Sequence, residues 1–338
     1  RGYIMCGIFG IIYQNDRLLG PTMIDAALRL SYRGYDSVGI AAINASGEID
    51  LRKDAGKVST VSEQYNFKEM VGKRGILQLR WATFGEPSKA NSQPHLDSEG
   101  LMVGAHNGNV VNNVELIEEF IAEGMIVRST NDGESCVHAV ERFVKQGYSI
   151  LDSIRKAYDV LQGDYSFVIA KADDDKLYSF KKGSGLVAGI GDDFTCISSD
   201  LPSILPLTRN VVSLNDGEII ELSHNTYKIY SVADGSELER PFETIKESIE
   251  VAQKGGFDHF MLKEINEQPK VAEELLHLWN NMSEINDVVD ALRKARNTYL
   301  IGCGTSYNAC LAGSVYFNRI ASKPAIPVVA PQFIAQYN

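Results

Sequence analysis

Met5-Cys6-Gly7-Ile8-Phe9-Gly10 is the stretch on which the reading of this chain turns. It places a cysteine directly behind a methionine at the head of an apolar run. If translation starts at Met5 and that residue is removed, Cys6 becomes the first residue and carries a thiol and a free α-amine together. Such a residue needs no histidine partner. Its own amine, with an ordinary pKa near ~7.7–8.0, can accept the thiol proton at neutral pH. The competing reading is a small buried cysteine at the start of a core strand, which is common for free thiols. The hexamer alone leaves both open.

Working outward, 338 residues with 44% hydrophobic and 23% charged side chains describe an ordinary globular protein of two domains. The net charge of −11 argues against nucleic acid or an anionic membrane as a partner, since either needs a basic face. Cys6, Cys136, Cys196, Cys303 and Cys310 are odd in number and form no C-x-x-C pair, so neither a disulfide framework nor a zinc site is expected, and a reducing cytoplasm fits best. No apolar run reaches the ~18 residues of a membrane span. Residues 1–4 read as an upstream extension, too short for a signal peptide. No cofactor and no metal are expected.

The periodicity predicts a strand over 6–13, a helix over 21–30 and a strand over 38–43. Between the last two lies YRGYDS (32–37), with Gly34 as a helix C-cap. A strand over 75–81 runs into a Gly/Pro loop, TFGEP (83–87), and a strand over 101–106 runs into Asn107-Gly108-Asn109, read as a tight turn. Helices follow at 114–122, 136–144 and 149–161, with Asp132 as a possible N-cap, and then short β segments from 163 to 232. Strands at both ends with helices between predict a layered α+β domain of two packed sheets. Residues 233–256 read as a linker. Beyond them, helices at 260–279 and 285–295, a strand at 298–301, the Gly302–Asn308 turn, a helix at 309–320 and a strand at 326–330 open a βαβ domain, about 80 residues long and short of a complete parallel sheet. The turn before its helix could cradle a phosphate, or could be only a tight connection.

Cys6-Gly7-Ile8, YRGYDS (32–37), RWAT-x-GEPS (80–88), HNG (106–108), Asp132-x-Glu134, KEI-x-EQP (263–269) and CGTSYNA (303–309) occur in the same order in the glutamine–fructose-6-phosphate aminotransferase (isomerising), or glucosamine-6-phosphate synthase, family, which the chain resembles from Cys6 to its end. The resemblance implies a class II glutamine amidotransferase over 6–232, an N-terminal-nucleophile hydrolase with a four-layer αββα sandwich, then a linker at 233–256 and a truncated first sugar isomerase (SIS) domain at 257–338. It further implies that Cys6 attacks the side-chain amide of L-glutamine, with Asn107 and Gly108 as the oxyanion hole. Arg80, helped by Thr83, would grip the α-carboxylate of glutamine and Asp132 its α-amine. Trp81 resembles a gate to an internal ammonia passage, and Tyr35 lies in the turn that faces the sugar domain. Cys303, Gly304, Thr305 and Ser306 resemble the first part of a sugar-phosphate loop for fructose 6-phosphate. The full-length protein would be a cytoplasmic homodimer.

Phe84 stands where many members have histidine, and Gln332 departs from an otherwise aligned segment. The isomerising residues would lie beyond Asn338, so this chain by itself is expected to hydrolyse glutamine only. A paralogue with another phosphosugar acceptor, a non-catalytic module sensing glutamine or sugar phosphate, and a simple N-terminal-nucleophile amidohydrolase are the alternatives. Activity in the leading reading requires residues 1–5 to be absent, because otherwise the nitrogen of Cys6 is an amide.

Overall fold

Strand β1 (Gly7–Leu18) starts immediately after Cys6, and its first seven residues are all buried. Successive side chains of a strand point to opposite faces, so an unbroken apolar run belongs in a sheet covered on both sides. In this computed structural model, which describes residues 6–82, 85–246, 257, 259–279 and 284–337, β1 is covered in that way. Phe9, Ile11 and Tyr13 pack with Met23, Ala26, Ala27 and Leu30 of helix α1 (Gly20–Leu30). Ile8 and Ile12 face the other way, among Val103, Ala105, Val168 and Ala170 of a second sheet. The far side of that sheet buries Phe167 and Phe180 against helical residues Leu116, Phe120, Val137, Val140 and Ile154. The order is therefore helix, sheet, sheet, helix, the expected αββα sandwich.

The first sheet also contains β2 (Ser37–Ile43), β3 (Ile49–Ala55) and β4 (Val71–Arg80), with helix α2 (Val58–Gln64) between β3 and β4. Next come β5 (His95–Leu96) and β6 (Met102–Val110), then helices α3 (Asn113–Ala122), α4 (Asp132–Lys145) and α5 (Ile150–Val160). The remaining strands are β7 (Gly163–Lys171), β8 (Leu177–Lys182), β9 (Val187–Ile190), β10 (Phe194–Ser198), β11 (Asn210–Ser213), β12 (Glu218–Leu222), β13 (Tyr227–Ser231), β14 (Glu237–Leu238) and β15 (Glu243–Thr244). One sheet has the order β15-β11-β9-β10-β1-β4-β2-β3 and the other β14-β13-β12-β8-β7-β6-β5. β1 and β4 are interior neighbours in the first, and β6 is one strand from the edge of the second. No helix among the described residues is long and apolar enough to cross a membrane.

Several local expectations change. The linker does not begin at 233, because β14 pairs with β13 and β15 with β11, which keeps the chain in both sheets as far as Thr244. Asn107-Gly108-Asn109 is not a turn: β6 continues through it, with Asn107 opposite Ser166 and Gly108 opposite Tyr165. Gly34 does not cap α1, which ends on Ser31 in the ordinary helical region. It is needed instead for close approach, since a Cβ there would lie 2.7 Å from the carbonyl carbon of Arg80. Helix α4 begins earlier than periodicity implied, and its N-cap is Asn131, whose side chain accepts from the N–H of Gly133.

A second compact unit begins at Phe257. It holds α6 (Phe260–Trp279), α7 (Glu284–Lys294), β16 (Tyr299–Gly302), α8 (Gly304–Arg319), β17 (Ile326–Val329) and α9 (Ala330–Tyr337). β16 and β17 are parallel and joined through α8, a βαβ unit. The residues expected as a glycine-rich loop before this helix are its first turn, because the chain passes from β16 into α8 through Cys303 alone.

Candidate active site

The pairing of β1 with β4 sets the site. Gly7 lies opposite Leu79 and Ile8 opposite Gln78, which brings Cys6 to the end of β4, where Arg80 and Trp81 emerge. The backbone N–H of Trp81 donates to Cys6 Sγ at 3.2 Å, and the thiol lies 3.5 Å from the Trp81 carbonyl oxygen. Burial pushes the thiol pKa up, and the Asp132 carboxylate adds to that effect. The Trp81 N–H, the positive Arg80 and a hydrogen bond from Gln78 oppose it without cancelling it. These surroundings therefore favour the neutral thiol at Cys6.

The strand carrying Cys6 is anchored by residues that sequence reasoning did not single out. Arg33 Nε donates to the carbonyl oxygen of Cys6 at 3.1 Å, and Arg33 Nη1 pairs with Asp200 Oδ2 at 3.1 Å. The Tyr32 hydroxyl also donates to Asp200. Ser199 Oγ accepts from the N–H of Ile8 at 3.1 Å, and Ser198 Oγ donates to the Ile8 carbonyl at 2.9 Å. Arg33 stood inside a recognised motif. The serines and Asp200, nearly two hundred residues away, gave no local signal.

From the second sheet comes β6. Asn107 is fully buried, and neither its Nδ2 nor its Oδ1 has a hydrogen-bond partner among the described residues. Buried amide groups are ordinarily paired, because leaving one unpaired costs about 1–3 kcal/mol. Gly108 follows with φ +104°, and a Cβ there would lie 2.0 Å from the carbonyl oxygen of Asp164. Only glycine fits this kink in the strand. Gln78 Nε2 reaches from β4 to the His106 carbonyl at 3.4 Å, linking the two sheets next to Asn107.

Asp132 lies buried at the start of α4. Its Oδ2 is 3.1 Å from His106 Nε2 and accepts from the N–H of Val110 at 3.0 Å, while Asn131 Nδ2 lies 3.3 Å from Oδ1. Burial works against its charge, but His106 and the backbone N–H of Val110 outweigh that and lower its pKa, so it is a carboxylate. The tautomer of His106 follows from Gln93. Gln93 Oε1 accepts from the N–H of His106 at 2.7 Å, which orients its Nε2 toward His106 Nδ1 at 3.0 Å. Nδ1 is then the acceptor and Nε2 carries the proton that faces Asp132. Glu134, the other half of the Asp132-x-Glu134 motif, holds the preceding loop, accepting from the N–H groups of Arg128 at 2.7 Å and Ser129 at 2.6 Å.

Arg80 is buried, with Nη2 donating to the Gly85 carbonyl at 2.7 Å and Nη1 to the Glu86 carbonyl at 3.3 Å. The Trp81 ring packs edge-on against Tyr35 with centroids 5.0 Å apart. Asp36 Oδ2 accepts from the N–H of Ala82 at 2.8 Å, tying YRGYDS to the end of β4. Thr83 and Phe84 lie outside the described residues. Thus Cys6, Arg80, Trp81, Asn107, Gly108 and Asp132 belong to the first unit, and Cys303 to Ser306 form a separate group in the second. There Cys303, Gly304 and Thr305 are exposed, Ser306 is half-buried, and Cys303 O accepts from the N–H of Ser306 at 3.1 Å.

A family model described as a glutamine amidotransferase domain matches residues 79–200, and one described as a SIS domain matches residues 291–337. The glutamine–fructose-6-phosphate aminotransferase (isomerising) of Thermococcus kodakarensis is 38% identical over 97% of this chain and 54% of its own length. The proteins of the same name from Pyrobaculum aerophilum and Aquifex aeolicus are 37% and 36% identical, each over 97% of this chain and 54% of their own length. The chain thus spans about half the length of these curated relatives. Among solved structures, the glutamine phosphoribosylpyrophosphate amidotransferase of B. subtilis superposes with a TM-score of 0.58 at 23% identity, covering 67% of this chain and 49% of that one. That likeness speaks for the fold alone, the four-layer αββα sandwich. Over nearly its whole length the chain is thus similar to the glutamine–fructose-6-phosphate aminotransferases (isomerising), and it carries a match to a glutamine amidotransferase domain followed by a match to a SIS domain.

Proposed function

We propose that this chain is the glutamine-hydrolysing part of an amidotransferase that moves the amide nitrogen of L-glutamine to fructose 6-phosphate, giving glucosamine 6-phosphate in the full-length protein. The observation that carries the reading is Asn107, buried in the strand beside the thiol's sheet with its amide unpaired. An unpaired buried donor there has a use if a developing oxyanion completes it, together with the N–H of Gly108.

In this mechanism the neutral thiol gives its proton to the α-amine of Cys6 as sulfur bonds to the amide carbon of glutamine. Asn107 and Gly108 hold the oxyanion. The tetrahedral species collapses, the α-ammonium returns the proton to the leaving nitrogen, and ammonia departs from a γ-glutamyl thioester. Water, deprotonated by the same amine, then releases glutamate and restores the thiol. One oxyanion donor of this type contributes about 2.7–4 kcal/mol to the barrier reduction. The α-amine is available only in molecules whose peptide bond from Met5 to Cys6 has been removed.

Arg80, helped by Thr83, would take the α-carboxylate with its fork, exchanging or sharing its hold on the Gly85 and Glu86 carbonyls. Asp132, kept ionised, would take the α-ammonium, and Trp81 would line the path of ammonia. In the second unit the first turn of α8, Cys303 to Ser306, would receive the phosphate of the sugar through backbone N–H groups and the Thr305 and Ser306 hydroxyls. The complete protein would work as a homodimer in the cytoplasm. The test is ammonia release from L-glutamine by protein beginning at Cys6: a Cys6→Ala variant as active as the parent contradicts the reading.

A further inference from the structure

Asn91 lies between the two loops that the proposed function assigns to the two ends of the substrate's α-carbon, and it has no part in the steps described above. Its side chain is buried. Nδ2 donates to the Glu86 carbonyl at 3.0 Å, which, with the Gly85 carbonyl, also receives the Arg80 guanidinium. Oδ1 accepts from the N–H of Thr130 at 3.0 Å and lies 3.2 Å from the Thr130 hydroxyl, two residues before Asp132. Gly85 completes the junction: a Cβ there would lie 2.6 Å from both Asn91 Nδ2 and Thr130 Oγ1. One amide therefore bridges the loop closed by Arg80 to the segment that leads into Asp132, using its donor on one side and its acceptor on the other.

We propose that Asn91 is a positioning residue that fixes the spacing between the Arg80 carboxylate clamp and the Asp132 ammonium acceptor, making the site selective for an α-amino acid end over a plain carboxylate. This deepens the glutaminase reading and rests on it. Both charged groups of the substrate sit on one carbon, so the second contact strengthens the first only if the protein holds the two receptors at a matching distance beforehand. Loops that carry binding groups are held by the scaffold and by bonds such as these rather than by a ladder. Without the bridge, each receptor still binds its own group, but the two no longer cooperate.

The experiment compares L-glutamine with 4-carbamoylbutanoate, the same molecule without the α-amine, on protein beginning at Cys6. For Asn91→Ala the KM for glutamine should rise by roughly tenfold with kcat held within about twofold, while the inhibition constant of 4-carbamoylbutanoate changes by less than about threefold. Asn91→Asp, nearly isosteric, keeps the bonds to Thr130 and loses the donor to Glu86, so it should shift the same ratio in the same direction. A variant that weakens both ligands equally, or leaves their ratio unchanged, overturns the proposal. Parent protein that releases no ammonia from glutamine fails earlier and overturns the glutaminase reading itself.

Discussion

The backbone N–H of Trp81 donates to the sulfur of Cys6 at 3.2 Å, while the indole of the same residue packs on Tyr35. The contact with the Cys6 thiol is therefore independent of the side chain. Trp81→Ala should leave the rate of glutamine hydrolysis within roughly fivefold of the parent, a change of about 1 kcal/mol. Trp81→Pro removes the N–H and should cost far more. Steady-state ammonia release from both variants checks this.

Asn107→Ala separates activity from stability. The side chain is buried with both polar atoms unpaired, so its removal relieves an unsatisfied amide and should leave the melting temperature unchanged or raise it. With Asn107 as the proposed oxyanion donor, the same change should lower kcat by about 10²–10³ with little change in KM. Calorimetry and single-turnover kinetics on the same preparation test the two halves together.

Gly108→Ala should behave in the opposite way. With φ at +104° and the Asp164 carbonyl 2.0 Å from any added Cβ, the backbone must move. The cost should exceed the ~1 kcal/mol of an ordinary glycine change, seen as a lower melting temperature as well as lost activity.

A pH dependence follows from the ion cluster inside α4. His138 lies 2.6 Å from Glu141 Oε2 and 3.4 Å from Glu134 Oε1, and Lys145 Nζ lies 2.6 Å from Glu141 Oε1. Burial opposes charge on both carboxylates, but hydrogen bonds, from His138 first, hold each down to about 2. Burial likewise opposes the His138 cation, and its bonds to the two glutamates outweigh that and raise its pKa. The carboxylates stabilise the fold above their unfolded pKa of about 4.3, and that contribution is lost as pH falls toward 2. The histidine stabilises it below about 6.5, and its contribution is lost as pH rises through the raised value. Thermal unfolding should peak between these limits. The difference in melting temperature between parent and His138→Gln should shrink steadily above pH 7, and a constant difference contradicts the assignment.

The sandwich was legible because burial on two faces leaves a mark that survives without structure. The run from Gly7 to Tyr13 has no polar alternation, and the helix at 21–30 shows one apolar side. What misled was glycine. Asn107-Gly108 carries the composition of a turn, yet neighbouring β7 supplies a partner for each residue, so the same positive φ becomes a kink inside a strand. Gly34 looks like a helix cap because it follows a helix, and its purpose, clearance for Arg80, is set by a strand nearly fifty residues later. The edge strands β14 and β15 are two residues each, too short for any alternation to register. Cys6, Arg80, Asn107 and Asp132 were singled out through motifs. Arg33, Asp200, Ser198 and Asn91 act through backbone groups, and contacts of that kind depend on the fold rather than on local pattern.

The central claim is that Cys6, as a free N-terminal residue, is the nucleophile. The most direct measurement is peptide mass mapping after protein beginning at Cys6 reacts with an electrophilic diazoketone analogue of glutamine. A single adduct on Cys6, suppressed by excess glutamine, is the predicted result. An adduct on Cys136, Cys196, Cys303 or Cys310 instead, or none at all, would contradict it.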